Sequence, residues 1–339
     1  MFLSYKKEFL KRIYLILVLI LSMILLNFII DPFQQYRIPR FYKIGNLREE
    51  ERYLNAGLLR NIKYDSILIG SSITRNFDEK YFKKIMNWNV VKLTMSNANP
   101  GEIKFVLDHV EFSKIKNIII GVDLGAFKNI VNDGVKMPEY LYKNKLDFKD
   151  NYIYLSSIGV FKQSLKLIYY NLKYDKIEEK FKLGYQYNYS KKEFLKKERM
   201  NNNFLNYELD LNNVPEEMVK NYNKTLKMIL EKNKNINIIL FFPPYSIIAY
   251  KNMIDEQKTI QDYLAFKNFL VNETSEYLNV KIYDFQDIKE ITHNFDNYGD
   301  KLHYSPEISQ KLIDYIAKDK YRINKKNVKE RINNLKSQL

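Results

Sequence analysis

The order of apolar and amphipathic segments predicts an α/β fold: a mainly parallel sheet as the middle of three layers, with helices on both faces. Five short apolar runs carry the first half of that expectation. They lie at 66–70, 90–95, 117–123, 236–242 and 280–285, and have the length and Ile, Val and Phe content of buried strands. Amphipathic stretches at 101–112, 215–232, 255–278 and 306–317 lie between or after them. Strand and helix alternating in this way give parallel neighbours, because each new strand is reached by a crossover. A third observation adds one long apolar helix ahead of the domain.

That helix comes first in the chain. Residues 13–30 form an 18-residue run without a charge, dominated by Leu and Ile, close to the roughly 20 residues that span a bilayer as a helix. Lys6, Lys7, Lys11 and Arg12 precede it and Asp31-Pro32 closes it. Positive flanks stay on the inner side, so the N-terminus is expected inside and the rest of the chain outside, periplasmic or at the cell surface. The run ends Asn27-Phe28-Ile29-Ile30-Asp31, with no small-x-small cleavage site. An uncleaved signal anchor over 1–31 is therefore expected ahead of a cleavable signal peptide. Residues 32–59 read as a linker to a domain over 60–317.

The first strand is the one to watch. Asp65-Ser66-Ile67-Leu68-Ile69-Gly70-Ser71-Ser72-Ile73-Thr74-Arg75 is an apolar run that stops at a glycine, delivers two serines into a turn and leads into a helix-compatible stretch ending near Met86. Such a turn lifts a hydroxyl above the carboxyl end of the sheet and aims the first N–H groups of the helix at whatever binds there. Ligands of open α/β sheets bind at that end. The plainer account is a serine N-cap. Phe241-Phe242-Pro243-Pro244-Tyr245-Ser246 ends the fourth strand on the same side, where its prolines stiffen the loop; Tyr245 or Ser246 can face the crevice there, and a rigid strand-end turn is the plainer alternative.

Residues 134–213 interrupt the alternation. Their Tyr-, Lys-, Leu- and Asn-rich composition, as in Leu165-Lys166-Leu167-Ile168-Tyr169-Tyr170-Asn171-Leu172, predicts a mostly helical insert or lid. Its tyrosines are expected to pack more than to bind. The segment 318–339 carries eight Lys or Arg against two acids and reads as a polar helix end or a solvated basic tail.

A hydrophobic content of 46% excludes a disordered chain. The absence of cysteine excludes disulfides, zinc–thiolate sites and a cysteine nucleophile. The net charge of +15 would suit an anionic partner, but Lys, Asn, Ile and Tyr are abundant together, and compositional drift accounts for most of it. No zinc-finger spacing or RNA-binding signature is present, so no nucleic-acid partner is expected.

Three histidines are available for chemistry. His109 lies in a helical stretch and His293 in a polar loop near Asp296. His303 lies in Asp300-Lys301-Leu302-His303-Tyr304-Ser305-Pro306, just ahead of a helix that Ser305 caps, with Pro306 at its first position. An aspartate three residues before a histidine on a loop can bind one ring nitrogen and leave the other to accept a serine proton. An unrelated surface Asp and His is the bland alternative. One histidine with scattered carboxylates is a poor transition-metal set, and no metal or organic cofactor is expected.

Ile67-Leu68-Ile69-Gly70-Ser71-Ser72 near the start, with a Tyr-x-Asp-x-x-His-Tyr-Ser segment near the end whose Asp300 lies 228 positions after Ser72, resembles the SGNH/GDSL hydrolase superfamily. The N-terminal anchor running into Asp31-Pro32-Phe33 narrows the likeness to its membrane-anchored branch, which includes DltD-type proteins and the SGNH-like proteins of exopolysaccharide O-acetylation. The resemblance implies a flavodoxin-like three-layer domain and a triad of Ser72, His303 and Asp300, with Ser71 where the family's Gly-Asp-Ser carries aspartate. Asn97, in Met95-Ser96-Asn97-Ala98-Asn99-Pro100-Gly101, falls where the family places an oxyanion-hole glycine. Gly121-Val122-Asp123-Leu124-Gly125 carries an acid where the family offers an asparagine donor. An ionised Asp123 cannot donate to an oxyanion, which leaves Asn97 or Asn99 as substitutes, a slower enzyme, or lost catalysis.

By that resemblance the chain is a tethered acyl esterase or O-acyltransferase acting on a surface polysaccharide or polyol, with a membrane-bound O-acyltransferase as donor partner. Two rivals stand beside it. One is a non-catalytic component of an envelope-polymer machine; the other is an esterase of membrane lipids.

Overall fold

Every residue of β1 (Ser66–Gly70) and β3 (Asn117–Gly121) is buried, which requires cover on both faces of the sheet. The computed structural model, which describes residues 2–39, 42, 50–128, 137–173, 188–198, 205, 208–255 and 259–339, supplies that cover. With β2 (Val90–Thr94), β4 (Asn237–Phe242), β5 (Val280–Asp284) and β6 (Arg322–Ile323), the sheet has the order β2-β1-β3-β4-β5-β6. The first five strands are parallel and β6 runs antiparallel on β5. The fold is α/β with a mainly parallel sheet, and its first five strands follow the flavodoxin-like order.

Handedness distributes the helices. The Glu79–Met86 helix, on the way out from β1 to β2, goes to one face and packs on Pro306–Ala317. The return crossovers put Pro100–Asp108, Glu216–Lys224, Leu226–Lys232 and Thr259–Thr274 on the other face. Phe77 meets Phe241 with ring centroids 5.4 Å apart on the first face, and Phe127 meets Phe266 at 4.8 Å on the second. Because the chain leaves β1 in one direction and returns to β3 in the other, the carboxyl ends of β1 and β3 frame the switch point of the sheet.

All five expected strands are present, each within two residues of its expected ends. The 215–232 helix is broken at Thr225, whose backbone (φ −128°, ψ −85°) leaves the helical region. Among the described residues, the helices Glu51–Asn61 and Ile247–Asp255 and the short Lys289–Thr292 helix went unforeseen.

The chain divides into two compact units, one of residues 1–62 and 137–182, the other of 63–136 and 183–339. The second unit holds the sheet and extends to the C-terminus. The 318–339 segment is therefore not a solvated tail: β6 pairs with β5, and the Val328–Lys336 helix buries Val328, Ile332 and Leu335. Those apolar positions recur at helical spacing within a strongly basic run, and the charge count obscured them.

In the first unit the N-terminal helix runs Phe2–Ile30, long and apolar enough to cross a membrane. Its last turns pack on helices Phe148–Leu155 and Ile158–Lys173. Buried Asn27 donates to the Leu155 and Ser157 carbonyls at 2.8 and 3.3 Å and accepts from Ser164 Oγ at 3.1 Å. Asp31, at φ 43°, ends the helix. Its carboxylate then accepts from the N–H groups of Gln35 and Tyr36 at 2.9 and 2.8 Å and from the Tyr154 hydroxyl at 2.9 Å. The residues expected as a linker are thus built structure at both ends. Phe33, Gln34 and Gln35 are buried, and an added Cβ at Gly57 in the Glu51–Asn61 helix would fall 2.1 Å from the Phe33 carbonyl. The single insert expected over 134–213 is divided: 137–173 joins the N-terminal helix, while Lys191–Lys197 belongs to the sheet unit. Residues 134–136, 174–187, 199–204 and 206–207 of it lie outside the described residues.

Candidate active site

At the end of β1 the chain turns sharply. Ser71 stays extended (φ −74°, ψ −169°) and Ser72–Thr74 form a single 3-10 turn. Thr74 fastens the turn: its hydroxyl donates to the Ser71 carbonyl at 2.9 Å and bonds the Thr94 hydroxyl of β2 at 2.8 Å. The Thr74 methyl lies between the ends of β1 and β3. A Cβ added at Gly70 or Gly121 would sit 2.6 or 2.7 Å from it, so both glycines are required by close approach rather than by backbone angle. Ser72 is left half-buried at the head of the turn, where its N–H and that of Ile73 have no acceptor within the turn.

The partner comes from the far end of the chain. Ser72 Oγ lies 2.8 Å from His303 Nε2. On the other side of the ring, His303 Nδ1 lies 2.9 and 2.8 Å from the two Asp300 oxygens. A carboxylate at Nδ1 holds the proton there and leaves Nε2 as the acceptor. Burial works to raise the Asp300 carboxyl, but the hydrogen bond and charge of His303 and the N–H groups of Leu302 and His303 outweigh it. They hold it well below the usual carboxylate range.

The loop that presents this pair is anchored on every side. Tyr298 and Tyr304 bridge across its base, and Gly299 N–H donates to the His303 carbonyl at 3.0 Å. The Tyr298 hydroxyl donates to the Pro244 carbonyl at 2.8 Å, while Ser246 Oγ donates to Lys301 O at 2.9 Å. Asn76, just beyond the serine turn, donates to the Tyr304 carbonyl at 2.7 Å. It therefore ties the Ser72 segment to the His303 loop directly. Sequence reading missed Asn76 and Thr74; a buried polar residue beside an apolar run was the signal available, and it is a weak one.

Asp123 closes the β3 side. It accepts from Ser71 Oγ at 3.4 Å, from the Tyr245 hydroxyl and from the Gly125 N–H. Desolvation pushes its carboxyl above the ordinary range, and these donors with the charge of His303 pull against it without cancelling it. Tyr245 is buried beside it, so it reaches the site through Asp123 and not as an exposed loop side chain.

The two asparagines separate. Asn97 is exposed in a turn closed by Ala98 N–H to Met95 O at 3.2 Å, with φ 50°. That left-handed position favours glycine, with asparagine next. Asn99 is the N-cap of the Pro100–Asp108 helix, with its side-chain oxygen bound by Glu102 N–H at 3.0 Å and its own N–H bound to Glu102 in a capping box. Helix capping already occupies its carbonyl and fixes its direction.

A small apolar cavity of about 20 Å³ adjoins Ser71 and Asp123, walled by Ala98, Ile103, Phe127 and Ile229. That is room for a group no larger than a water or two, or a methyl. Neither other histidine enters the site: His109 Nδ1 bonds its own helix at Phe105 O, 2.8 Å away, and His293 Nδ1 lies 3.1 Å from Thr292 Oγ1. Among the described residues no three His, Asp or Glu side chains converge as metal ligands.

No family model matches the chain, and no curated protein does. Among solved structures the chain is similar to one from Streptococcus pneumonia, described as that of a candidate platelet activating factor. The identity is 13%, the TM-score 0.39, and the match covers 80% of this chain and 91% of that one.

Proposed function

We propose that the chain is a membrane-tethered serine acyl esterase or O-acyltransferase of SGNH type, with Ser72 as nucleophile. The observation that carries this reading is the unbroken relay from Ser72 Oγ through His303 to Asp300, all within hydrogen-bond reach. Ser72 Oγ attacks an acyl carbonyl while its proton passes to His303 Nε2. Asp300 steadies the imidazolium that forms. The N–H groups at the head of the Ser72–Thr74 turn, with that of Asn97, receive the oxyanion. Collapse expels the alcohol, which takes the proton from His303, and leaves Ser72 acylated. Water or a sugar hydroxyl then repeats the sequence in reverse, and which of the two arrives decides hydrolysis or transfer. The small apolar cavity beside Ser71 suits a short acyl group such as acetyl.

The family likeness of the motifs supplies the rest of the reading: a surface polysaccharide or polyol as acceptor and a membrane-bound O-acyltransferase as donor. Asn27, buried among polar contacts of the first unit, favours a retained anchor, since removing the helix would strip three hydrogen-bonding groups of their partner. The test is labelling of the full chain in detergent by a fluorophosphonate, read as intact mass. One adduct on the wild type, lost in both Ser72→Ala and His303→Ala, is expected. No adduct on folded wild type would overturn the enzyme reading. It would favour a non-catalytic envelope component, the alternative that Asp123 at the donor position keeps open.

A further inference from the structure

The Ile158–Lys173 helix of the first unit leaves one face apolar and uncovered. Ile158, Leu165, Tyr169 and Leu172 are 65, 45, 53 and 82% exposed. At 3.6 residues per turn these four fall within about 60° of one another. Scattered exposed apolar residues are ordinary, but a continuous stripe is not. The opposite face, Val160, Ser164 and Leu167, is buried, and Ser164 reaches Asn27 of the N-terminal helix. On the neighbouring Phe148–Leu155 helix, Phe148 and Tyr152, one turn apart, add two further exposed aromatic rings.

We infer that this stripe is a second membrane contact, lying in the lipid interface beside the N-terminal helix. The inference rests on reading that helix as a retained anchor. Its first support is continuity. The helix bearing the stripe is fastened to Asn27, one turn before the apolar span ends at Ile30, so the stripe sits where the span leaves the bilayer. Leu25, Phe28 and Ile29 of the span are exposed at that same level. Its second support is charge. Lys162, Lys166 and Lys173 lie along one flank of the stripe, within about 80° of Ile158 around the helix axis, and the helix carries no acid. An apolar stripe edged by lysines is the pattern of a helix lying in an interface with anionic headgroups. Tyr152 and Tyr169 are of the type that collects at headgroup depth.

Cysteine is absent from the chain, so single-cysteine variants carry one environment-sensitive fluorophore each. Leu165→Cys, Leu172→Cys, Leu17→Cys in the span and Lys83→Cys on the sheet unit are reconstituted as full chains in vesicles of zwitterionic and anionic lipid. Quenching is read with nitroxide-labelled lipid and with aqueous iodide. Probes at 165 and 172 are expected to respond to the lipid quencher and to be severalfold less sensitive to iodide than the probe at 83. If iodide reaches 165 and 172 as freely as 83 while 17 stays lipid-quenched, the stripe is not a membrane contact, although the anchor stands. If 17 is also open to iodide, both readings fall. Shielding from iodide without lipid quenching means that protein covers the stripe, and likewise overturns the inference.

Discussion

Asp300 sits in a loop that supplies it with donors before anything binds: the N–H groups of Leu302 and His303 at 2.9 Å each, and the imidazole above them. Asp123, at the end of β3, has the Ser71 and Tyr245 hydroxyls and one N–H, but it is desolvated as it receives them. The outcome is opposite. Asp300 is held ionised well below the usual carboxylate range, while Asp123 is pushed above it. A carboxylate's role is set less by how many donors it has than by whether a positive partner offsets its loss of water. At Asp300 the charged state is built in and suits an imidazolium; at Asp123 the charge is a burden on the fold.

The largest expected effect breaks the Asp300 side. Asp300→Asn keeps the shape but lets the ring adopt the wrong tautomer, and ester turnover and fluorophosphonate labelling should fall by about 10⁴-fold. Equal rates in wild type and variant would remove Asp300 from the relay. Next, Asp123→Asn keeps an acceptor for Tyr245 and Ser71 while adding a donor. It should raise turnover by about a hundredfold, the usual worth of one oxyanion donor. A fall instead would mean that the acid itself is needed.

Thermal unfolding against pH separates the two carboxylates by sign. Asp300's folded pKa is depressed, so the stability it contributes is present above its unfolded value and lost as pH falls through the folded one. The deficit of Asp300→Asn should therefore hold at neutral pH and close only at strongly acid pH. Asp123's folded pKa is raised, so its contribution is present at acid pH and lost as pH rises through that value. Asp123→Asn should thus gain in Tm over wild type at neutral pH, and the gain should vanish on acidification. The smallest effect is steric. Gly70→Ala drives a Cβ against the Thr74 methyl and should cost about 1–3 kcal/mol. Thr74→Ser, which keeps the hydroxyl, should recover most of it in chemical denaturation.

How much of this was legible varies with the range of the interaction. The five strands were readable because Ile, Val and Phe clustered in short runs must be buried, and the Asp300–His303 pair because three residues of separation keep both side chains on one loop. The long N-terminal helix followed from an uncharged apolar run ahead of a Pro. The linker and the tail misled for one reason: polar and basic composition describes a segment's surface and not its few buried contacts. Thus Phe33 under Gly57, and Val328, Ile332 and Leu335 in a lysine-rich run, were invisible to an average. The capping role of Asn99 went unread because a cap and a ligand donor need the same residue type.

By itself, then, the sequence determined the strand–helix alternation, the long apolar N-terminal helix and the local pairing of Asp300 with His303, all set by burial and by covalent proximity. Only the tertiary structure decided that Ser72 stands 2.8 Å from His303, 231 positions away. It also decided that Thr74 wedges between two glycines, that Tyr245 acts through Asp123, and that 137–173 packs with the N-terminal helix. These depend on which strands neighbour which, and strand order is settled by the handedness of crossovers and by packing across the sheet, which no short stretch of sequence contains.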